Sequence, residues 1–398
     1  MSASFVAGTV QTRQSGESTA PSLLAPITLR SLTVRNRAWL SPMCTYGCGP
    51  DGAVGDFHLV HYGAVALGGA GLLITEATAV EPRGRVTPAD AGLWSDDQIQ
   101  PWRRVVDFVH AAGAAIAVQL GHAGRKGSKY PGLPGESLSG PAPADGPGWV
   151  MLGATGAPFG DAPAPRRATE ADLDGVVRAF ACAAHRAVQA GFDAVELHAA
   201  HGYLLHEMLS PLTNDRDDGW GGDQAGRERL LCATVDAVRE AIGPDVPLIV
   251  RLSAADGPGI GTTEADTAEL AVRLHARGVD LIDCSSGGLL DGVDYKPFPG
   301  YQVPGAAAVR AAGVPAAAVG LINDPHHAEQ IVSQGQADVV LLGREMLRDP
   351  HWSRRAAAVL ATPEAVPPPA RYHRAWRRFT DRPYGTPSSP PSTQESPS

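Results

Sequence analysis

TEADLDGVVRAFACAAHRAVQAGFDAVELHAAHGY, residues 169–203, is the stretch on which the fold turns. Thr169 stands before Glu170 and Asp172, a capping hydroxyl followed by acids in a first helical turn. Helical period runs over 169–190. Ala194–His198 is then a short apolar run of strand type, and it ends in the polar group His198-Ala199-Ala200-His201-Gly202-Tyr203.

The same strand-then-helix unit recurs along the chain. Strands are expected at Arg37–Met43, Ala70–Ala77, Ala114–Gln119, Ala194–His198, Pro247–Ser253, Leu281–Ser285, Ala316–Gly320 and Asp338–Gly343. Helices are expected to follow them at 58–69, 97–112, 169–190, 224–242, 263–277, 303–312, 325–334 and 344–360. The strands read as continuous apolar runs, the mark of a parallel sheet buried on both faces. Eight such units in series close most simply as a (β/α)8 TIM barrel, an α/β fold. An open doubly wound sheet competes, but no G-x-G-x-x-G follows the first strand. Pro26–Arg37 (PITLRSLTVRNR) reads as a hairpin placed to plug the lower mouth. The Gly- and Pro-rich loop His122–Thr169 is a long insertion after the third strand, on the face where a lid would lie.

The ends carry little apolar content, so the expected organisation is a disordered tail over 1–22, one barrel domain over 23–380, and a disordered Pro/Ser-rich tail over 381–398. Charge is 33 Lys and Arg against 42 Asp and Glu, a net of −9, which argues against a nucleic-acid surface. The five cysteines are scattered, with no C-x-x-C and no signal peptide ahead of them, and suit a reducing cytoplasm. The longest apolar runs fall far short of the roughly 20 residues that span a bilayer, so no membrane partner is expected.

Barrels of this kind keep their chemistry at the C-terminal strand ends. There the sequence places Ser41-Pro42-Met43-Cys44-Thr45-Tyr46, Glu76-Ala77, Gln119, His198 to Tyr203, Arg251, Ser285-Ser286-Gly287-Gly288, Gly320 and Gly343-Arg344. The last three ends are glycine-rich, as a phosphate site between loops seven and eight requires, so a phosphorylated ligand is expected. Gly343 as a turn residue and Arg344 as a surface charge is the plain alternative. Arg251 is a charge inside an apolar strand and needs a partner, either a structural ion pair or bound anionic density. Gln119 poses the milder question of an amide that closes a backbone bond.

H-x-x-H at 198–201 admits three readings. The two histidines and Tyr203 are satisfied packing residues; or the imidazoles ligate a metal, which requires a broken strand because residues three apart point to opposite faces; or two neutral donors polarise a carbonyl while Tyr203 supplies a proton. No Cys or carboxylate cluster completes a metal set.

Taken together, SPMCTY (41–46), GLLITEATAV (71–80), QLGHAGRK (119–126), VELHAAHGYLLHEMLSPLTNDR (195–216), VRLS (250–253), SSGG (285–288), YQVP (301–304) and LLGREMLRDP (341–350) resemble the Old Yellow Enzyme family of FMN-dependent ene-reductases, in its smaller bacterial branch. The match runs from about Pro26 to Trp376. One departure is Asp218-Gly219-Trp220-Gly221-Gly222, where the family has Asp-Glu-Tyr-Gly-Gly.

The resemblance implies that Ser41, Pro42, Met43 and Cys44 line one side of FMN, and that Ala77 and Gln119 contact its ring. Arg251 would lie beside N1 and the C2 carbonyl. Gly343 and Arg344 would clamp the phosphate, with Ser286, Gly287 and Gly320 as neighbours. It makes His198 and His201 the carbonyl-binding pair, Tyr203 the proton donor, Tyr46 a substrate contact, and Cys44 a thiol at the reactive edge of the flavin. A buried structural cysteine is the alternative for Cys44. Arg374 matches an arginine donated into the neighbouring subunit's site, which implies a homodimer or homotetramer; a solvated basic helix face is the other reading.

The implied reaction is NAD(P)H-dependent reduction of the activated C=C bond of α,β-unsaturated carbonyl compounds, with hydride from flavin N5 to Cβ and a proton from Tyr203 to Cα. Relatives on this scaffold reduce nitro compounds or nitrate esters, or serve as natural-product oxidases or isomerases. A non-redox phosphate-binding lyase or isomerase barrel is the alternative from a different class.

Overall fold

The computed structural model describes residues 22–293 and 295–376. Apart from Ser22, the tails expected over 1–22 and 381–398 lie outside them. Eight strands form a closed barrel: β1 (Ala38–Leu40), β2 (Leu72–Ala79), β3 (Ala115–Gly121), β4 (Ala194–Ala199), β5 (Leu248–Ser253), β6 (Leu281–Ser285), β7 (Ala316–Ala318) and β8 (Val339–Leu342). Each is parallel to its neighbour in sequence, and β8 pairs with β1 at Leu342 and Leu40, so no edge stays open.

Around the barrel run α1 (Asp56–Gly68), α2 (Ile99–Ala111), α3 (Glu170–Ala190), α4 (Gln224–Ile242), α5 (Glu264–Ala276), α6 (Val303–Ala311), α7 (Pro325–Ser333), α8 (Arg344–Arg348) and α9 (Trp352–Val359). The caps read from sequence are present: Thr169 Oγ1 accepts from Asp172 N–H and Thr263 Oγ1 from Asp266 N–H. Among the described residues no helix is long and apolar enough to cross a membrane.

Alternation along β4 shows how the barrel is filled. Val195, Leu197 and Ala199 face the helices, while Ala194 joins Trp39, Ile249 and Leu341 in the interior core. Further up the axis the inward residues become polar, with Glu196 and His198 on this strand. The hairpin of Ile27–Leu29 and Leu32–Val34 contributes Leu29 and Val34 to the interior core, which closes the lower mouth as expected.

Several boundaries differ from the sequence reading. The first strand stops at Leu40 rather than Met43, because Pro42 has no N–H to continue the ladder after Ser41 N–H bonds Leu342 O at 3.0 Å. The seventh ends at Ala318 rather than Gly320, whose φ of +119° leaves the extended region. The helix expected over 97–112 begins with a 3-10 turn at Asp96–Gln98. The one expected over 344–360 is two helices: Asp349 takes an extended φ of −133° ahead of Pro350, as residues before proline prefer. The short helix Leu204–Leu209 was not expected at all.

Candidate active site

At the top of β4, the strand ends at Ala199 and the chain reverses through His201 (φ +59°) and Gly202 (φ +71°). This break turns His198 and His201 toward each other, which an unbroken strand forbids. Their ring centroids lie 5.0 Å apart, edge to face, and the His198 and Tyr203 rings 4.8 Å apart. Glycine is required at 202, since a Cβ there would lie 2.4 Å from Gly288 O. A left-handed non-glycine such as His201 costs about 1–3 kcal/mol and persists only where its surroundings enforce it.

Here they do. His201 N–H donates to Ser253 Oγ at 3.1 Å, and Lys126 Nζ donates to both His201 O (2.8 Å) and Gly288 O (2.7 Å). Gly202 N–H donates to His206 Nδ1 at 2.9 Å, so His206 carries its proton on Nε2, 2.9 Å from Asp256 Oδ1. The unexpected helix Leu204–Leu209 thus serves to carry His206 under the turn.

Burial, and secondarily the charge of Arg251, hold both His198 and His201 well below the ordinary imidazole value. Burial, then the neighbouring Cys44, pushes Tyr203 well above the ordinary phenol value. All three groups are therefore neutral at physiological pH, so each ring nitrogen that holds a proton is an uncharged donor. His198 Nδ1 accepts Ala200 N–H at 3.3 Å, which leaves the proton on Nε2.

Beneath this group lies a buried polar layer. Gln119 Nε2 donates to Glu196 Oε1 at 2.7 Å, and Arg251 Nε faces Asp283 Oδ2 at 2.9 Å. The Arg251–Asp283 contact is an ion pair without an aligned hydrogen bond, because neither Arg251 Nε nor either Asp283 oxygen has one among the described residues. At 2.9 Å the Coulomb attraction holds whatever the angle, so the pair is real and its directionality weak. Arg251 thus has the structural partner that was one of its two expected fates. Burial and the nearby Asp283 push Glu196 up, and burial pushes Asp283 up against the pull of Arg251. Glu196 Oε2 has no hydrogen-bond partner among the described residues. Two carboxyls beside one guanidinium, out of water, favour keeping a proton on Glu196.

On the rim, Met43, Cys44 and Tyr46 are half-buried. Glu76 pins their loop, accepting from Thr45 N–H at 3.0 Å and Thr45 Oγ1 at 2.7 Å, and Tyr46 sits at φ +56°. Burial raises the Cys44 thiol well above its usual value, so it stands as a thiol rather than a thiolate. Ala77, half-buried in an otherwise buried strand, follows a register shift in β2 and pairs with Gln119. Gly343 opens α8, and the exposed Arg344 side chain has no hydrogen bond or ion pair among the described residues. Ser286 bonds Gln302, and Gly287 (φ +86°) and Gly320 (φ +119°) take conformations suited to glycine. Arg374 is exposed in the last described turn, His373–Trp376.

The loop His122–Thr169 is tied down at several points. Glu207 Oε1 accepts Ala154 N–H at 2.8 Å, and Arg216 Nη1 donates to Ala154 O and Ala168 O at 2.9 and 2.7 Å. Phe159 from this loop lies over Lys126 Nζ, 4.4 Å from its ring centroid. Sequence reasoning missed Glu196 and Asp283, although each is a charge in an apolar strand, the signal that exposed Arg251. It also missed Lys126, Asp256 and His206, for which no local signal exists.

The closed eight-stranded parallel barrel defines a class, the (β/α)8 barrels, and this one carries Arg251 buried in a strand, Arg344 on its rim without a partner among the described residues, and three neutral donors at its mouth. Within that class the chain belongs to the NADH:flavin oxidoreductase / NADH oxidase family, whose model matches residues 22–362. It is 44% identical to an NADPH dehydrogenase of Geobacillus thermodenitrificans (strain NG80-2), over 89% of this chain and 98% of that protein. An NADPH dehydrogenase of Bacillus subtilis (strain 168) is 42% identical over 90% and 100%. Morphinone reductase superposes with a TM-score of 0.71 at 28% identity, covering 85% of this chain and 90% of that one. A 2-naphthoyl-CoA reductase in complex with 2-naphthoyl-CoA gives a TM-score of 0.76 at 25% identity over 87% of this chain, which spans 53% of that longer chain.

The Old Yellow Enzyme resemblance is thereby borne out, and the protein is an NAD(P)H-dependent flavin oxidoreductase whose cofactor is FMN. The non-redox barrel reading falls with the same findings. The residues present fit FMN: Arg344 is an exposed cation without a partner among the described residues, Arg251 faces Asp283 without an aligned hydrogen bond and donates only a long one to Ser41 Oγ at 3.4 Å, and Met43, Cys44, Tyr46 and Ala77 on the rim are half-buried.

Proposed function

We propose that the protein reduces the activated C=C bond of α,β-unsaturated carbonyl compounds. The observation that carries this reading is the convergence of two neutral imidazoles and a neutral phenol at one point of the mouth. FMN, when bound, supplies the two-electron store that NAD(P)H fills and the alkene empties. Ser41, Pro42, Met43, Cys44, Ala77, Gln119 and Arg251 would hold its ring, with Arg251 beside the pyrimidine edge. Ser286, Gly287, Gly320, Gly343 and Arg344 would hold its phosphate.

His198 and His201 then donate to the substrate oxygen and draw electron density away from Cβ, and Tyr203 delivers its phenolic proton to Cα. Neutral donors suit this work, because they strengthen as charge grows on the oxygen and release the product when it fades. Tyr46 and Cys44 border the substrate. Arg374 would reach the site of a neighbouring subunit in a homo-oligomer; Arg374→Ala should then raise KM, and unchanged KM and assembly would remove that part of the reading.

Anaerobic reduction with NADPH, followed by reoxidation with a panel of enones, nitro compounds and nitrate esters, tests the whole. Enones should reoxidise the bleached protein fastest. Faster reoxidation by nitro compounds or nitrate esters would replace the alkene as substrate.

A further inference from the structure

A neutral His201 carries one ring proton, and the nitrogen that holds it decides whether the ring can donate into the mouth. Its Nε2 lies 2.8 Å from Ser285 Oγ, the last residue of β6. Since a hydroxyl either donates or accepts, this contact alone leaves the tautomer open. The neighbours of Ser285 close it. Gln302, buried at the start of α6, directs its amide nitrogen to Val319 O (3.2 Å) and its carbonyl oxygen to Ser286 N–H and Ser286 Oγ, both at 2.8 Å. The reverse orientation would set the amide N–H against Ser286 N–H, donor against donor.

Two short donors occupy the two lone pairs of the Gln302 oxygen. Tyr301 O–H at 3.2 Å and Ser285 Oγ at 3.3 Å compete from farther away. The short acceptor for the Ser285 hydroxyl hydrogen is therefore His201 Nε2. The geometry points to Ser285 as a positioning residue that donates to His201 Nε2 and so places the ring proton on Nδ1, with Gln302 and Ser286 leaving Ser285 free to do it.

Nδ1 has no protein partner among the described residues, so it is the nitrogen left for a substrate oxygen. His198 is set the opposite way, since its Nδ1 accepts Ala200 N–H and its Nε2 carries the proton. The backbone of His201 is held separately, by Ser253 Oγ and Lys126 Nζ. Loss of the Ser285 hydroxyl thus frees the tautomer while the turn stays in place. The use of Nδ1–H for a carbonyl rests on the proposed function; the tautomer does not.

Nitrogen NMR on the full-length holoenzyme with ring-15N histidine reads the tautomer directly, with His201→Gln assigning the signals. Wild type and Ser285→Thr, which keeps the hydroxyl, should show a protonated Nδ1 and a bare Nε2; Ser285→Ala should show a mixed or reversed pattern. Cyclohex-2-en-1-one titrated into the oxidised holoenzyme should bind Ser285→Ala about tenfold more weakly than wild type, with affinity restored in Ser285→Thr. A proton on Nε2 in the wild type overturns the assignment, as does Ser285→Ala with both tautomer and affinity unchanged. If the tautomer follows Ser285 but no form binds the enone, the positioning role stands and the carbonyl-binding reading falls.

Discussion

Two imidazoles buried beside an arginine lose their charge, and that loss is what fits them to hold a carbonyl oxygen. A protonated pair would bind a stray anion and pay desolvation twice. Replacing both His198 and His201 by Ala should weaken enone binding by about 10²-fold, near 1–2 kcal/mol for each donor, as measured by titration of the oxidised protein. Unchanged affinity would place the substrate oxygen elsewhere. At this scale the sequence was informative where chemistry and strand position coincided. Arg251 stood out because charge in an apolar strand demands a partner, and the same logic applied to Glu196 in AVELHA and Asp283 in LIDCS would have named its layer. Lys126 carried no such sign, because its meaning lies in two carbonyls that are 75 and 162 residues away along the chain.

The strand-to-helix turn after β4 is the element on which the site depends. Its left-handed residues interlock with those of the Ser286–Gly288 turn, where a Cβ on Gly288 would meet His201 O at 2.9 Å. Gly202→Ala should therefore cost about 1–3 kcal/mol of stability in a urea titration, more than a surface Gly→Ala change, and should lower enone affinity with it. Wild-type behaviour on both counts would mean that the turn is not strained. The eight units were legible because each buries a continuous apolar strand behind an amphipathic helix. Boundaries were less so. Pro42 and Pro350 cut elements for backbone reasons that apolar period does not register. The helix Leu204–Leu209 is too short to show a period of its own.

Across the molecule, burial of ionisable groups sets how stability follows pH. Burial pushes Glu207 up from 4.5 to about 7. A carboxyl with a raised folded value stabilises fully below its unfolded value, and that contribution is lost as pH rises from about 4.5 through about 7. His198 and His201 act on the other limb: their depressed values make folding less favourable as pH falls below the ordinary 6.5. Glu207→Gln keeps an acceptor for Ala154 N–H, so its melting temperature should exceed wild type at about pH 8 and the gap should close toward about pH 5. A constant gap would show that Glu207 does not titrate in this window. The barrel, the plugging hairpin and the overhanging loop were all legible at this scale. How Glu207 and Arg216 fasten that loop was not, since those contacts join segments that sequence patterns treat as unrelated.

In the proposed reaction Tyr203 gives the proton to the alkene and leaves delivery of electrons from NADPH alone. Stopped-flow measurement of the two half-reactions of Tyr203→Phe separates these duties. Reduction by NADPH should proceed within about twofold of wild type, while reoxidation by an enone slows by about 10²-fold or more, the usual worth of one positioned acid. Equal slowing of both halves, or an unchanged reoxidation rate, would contradict the account.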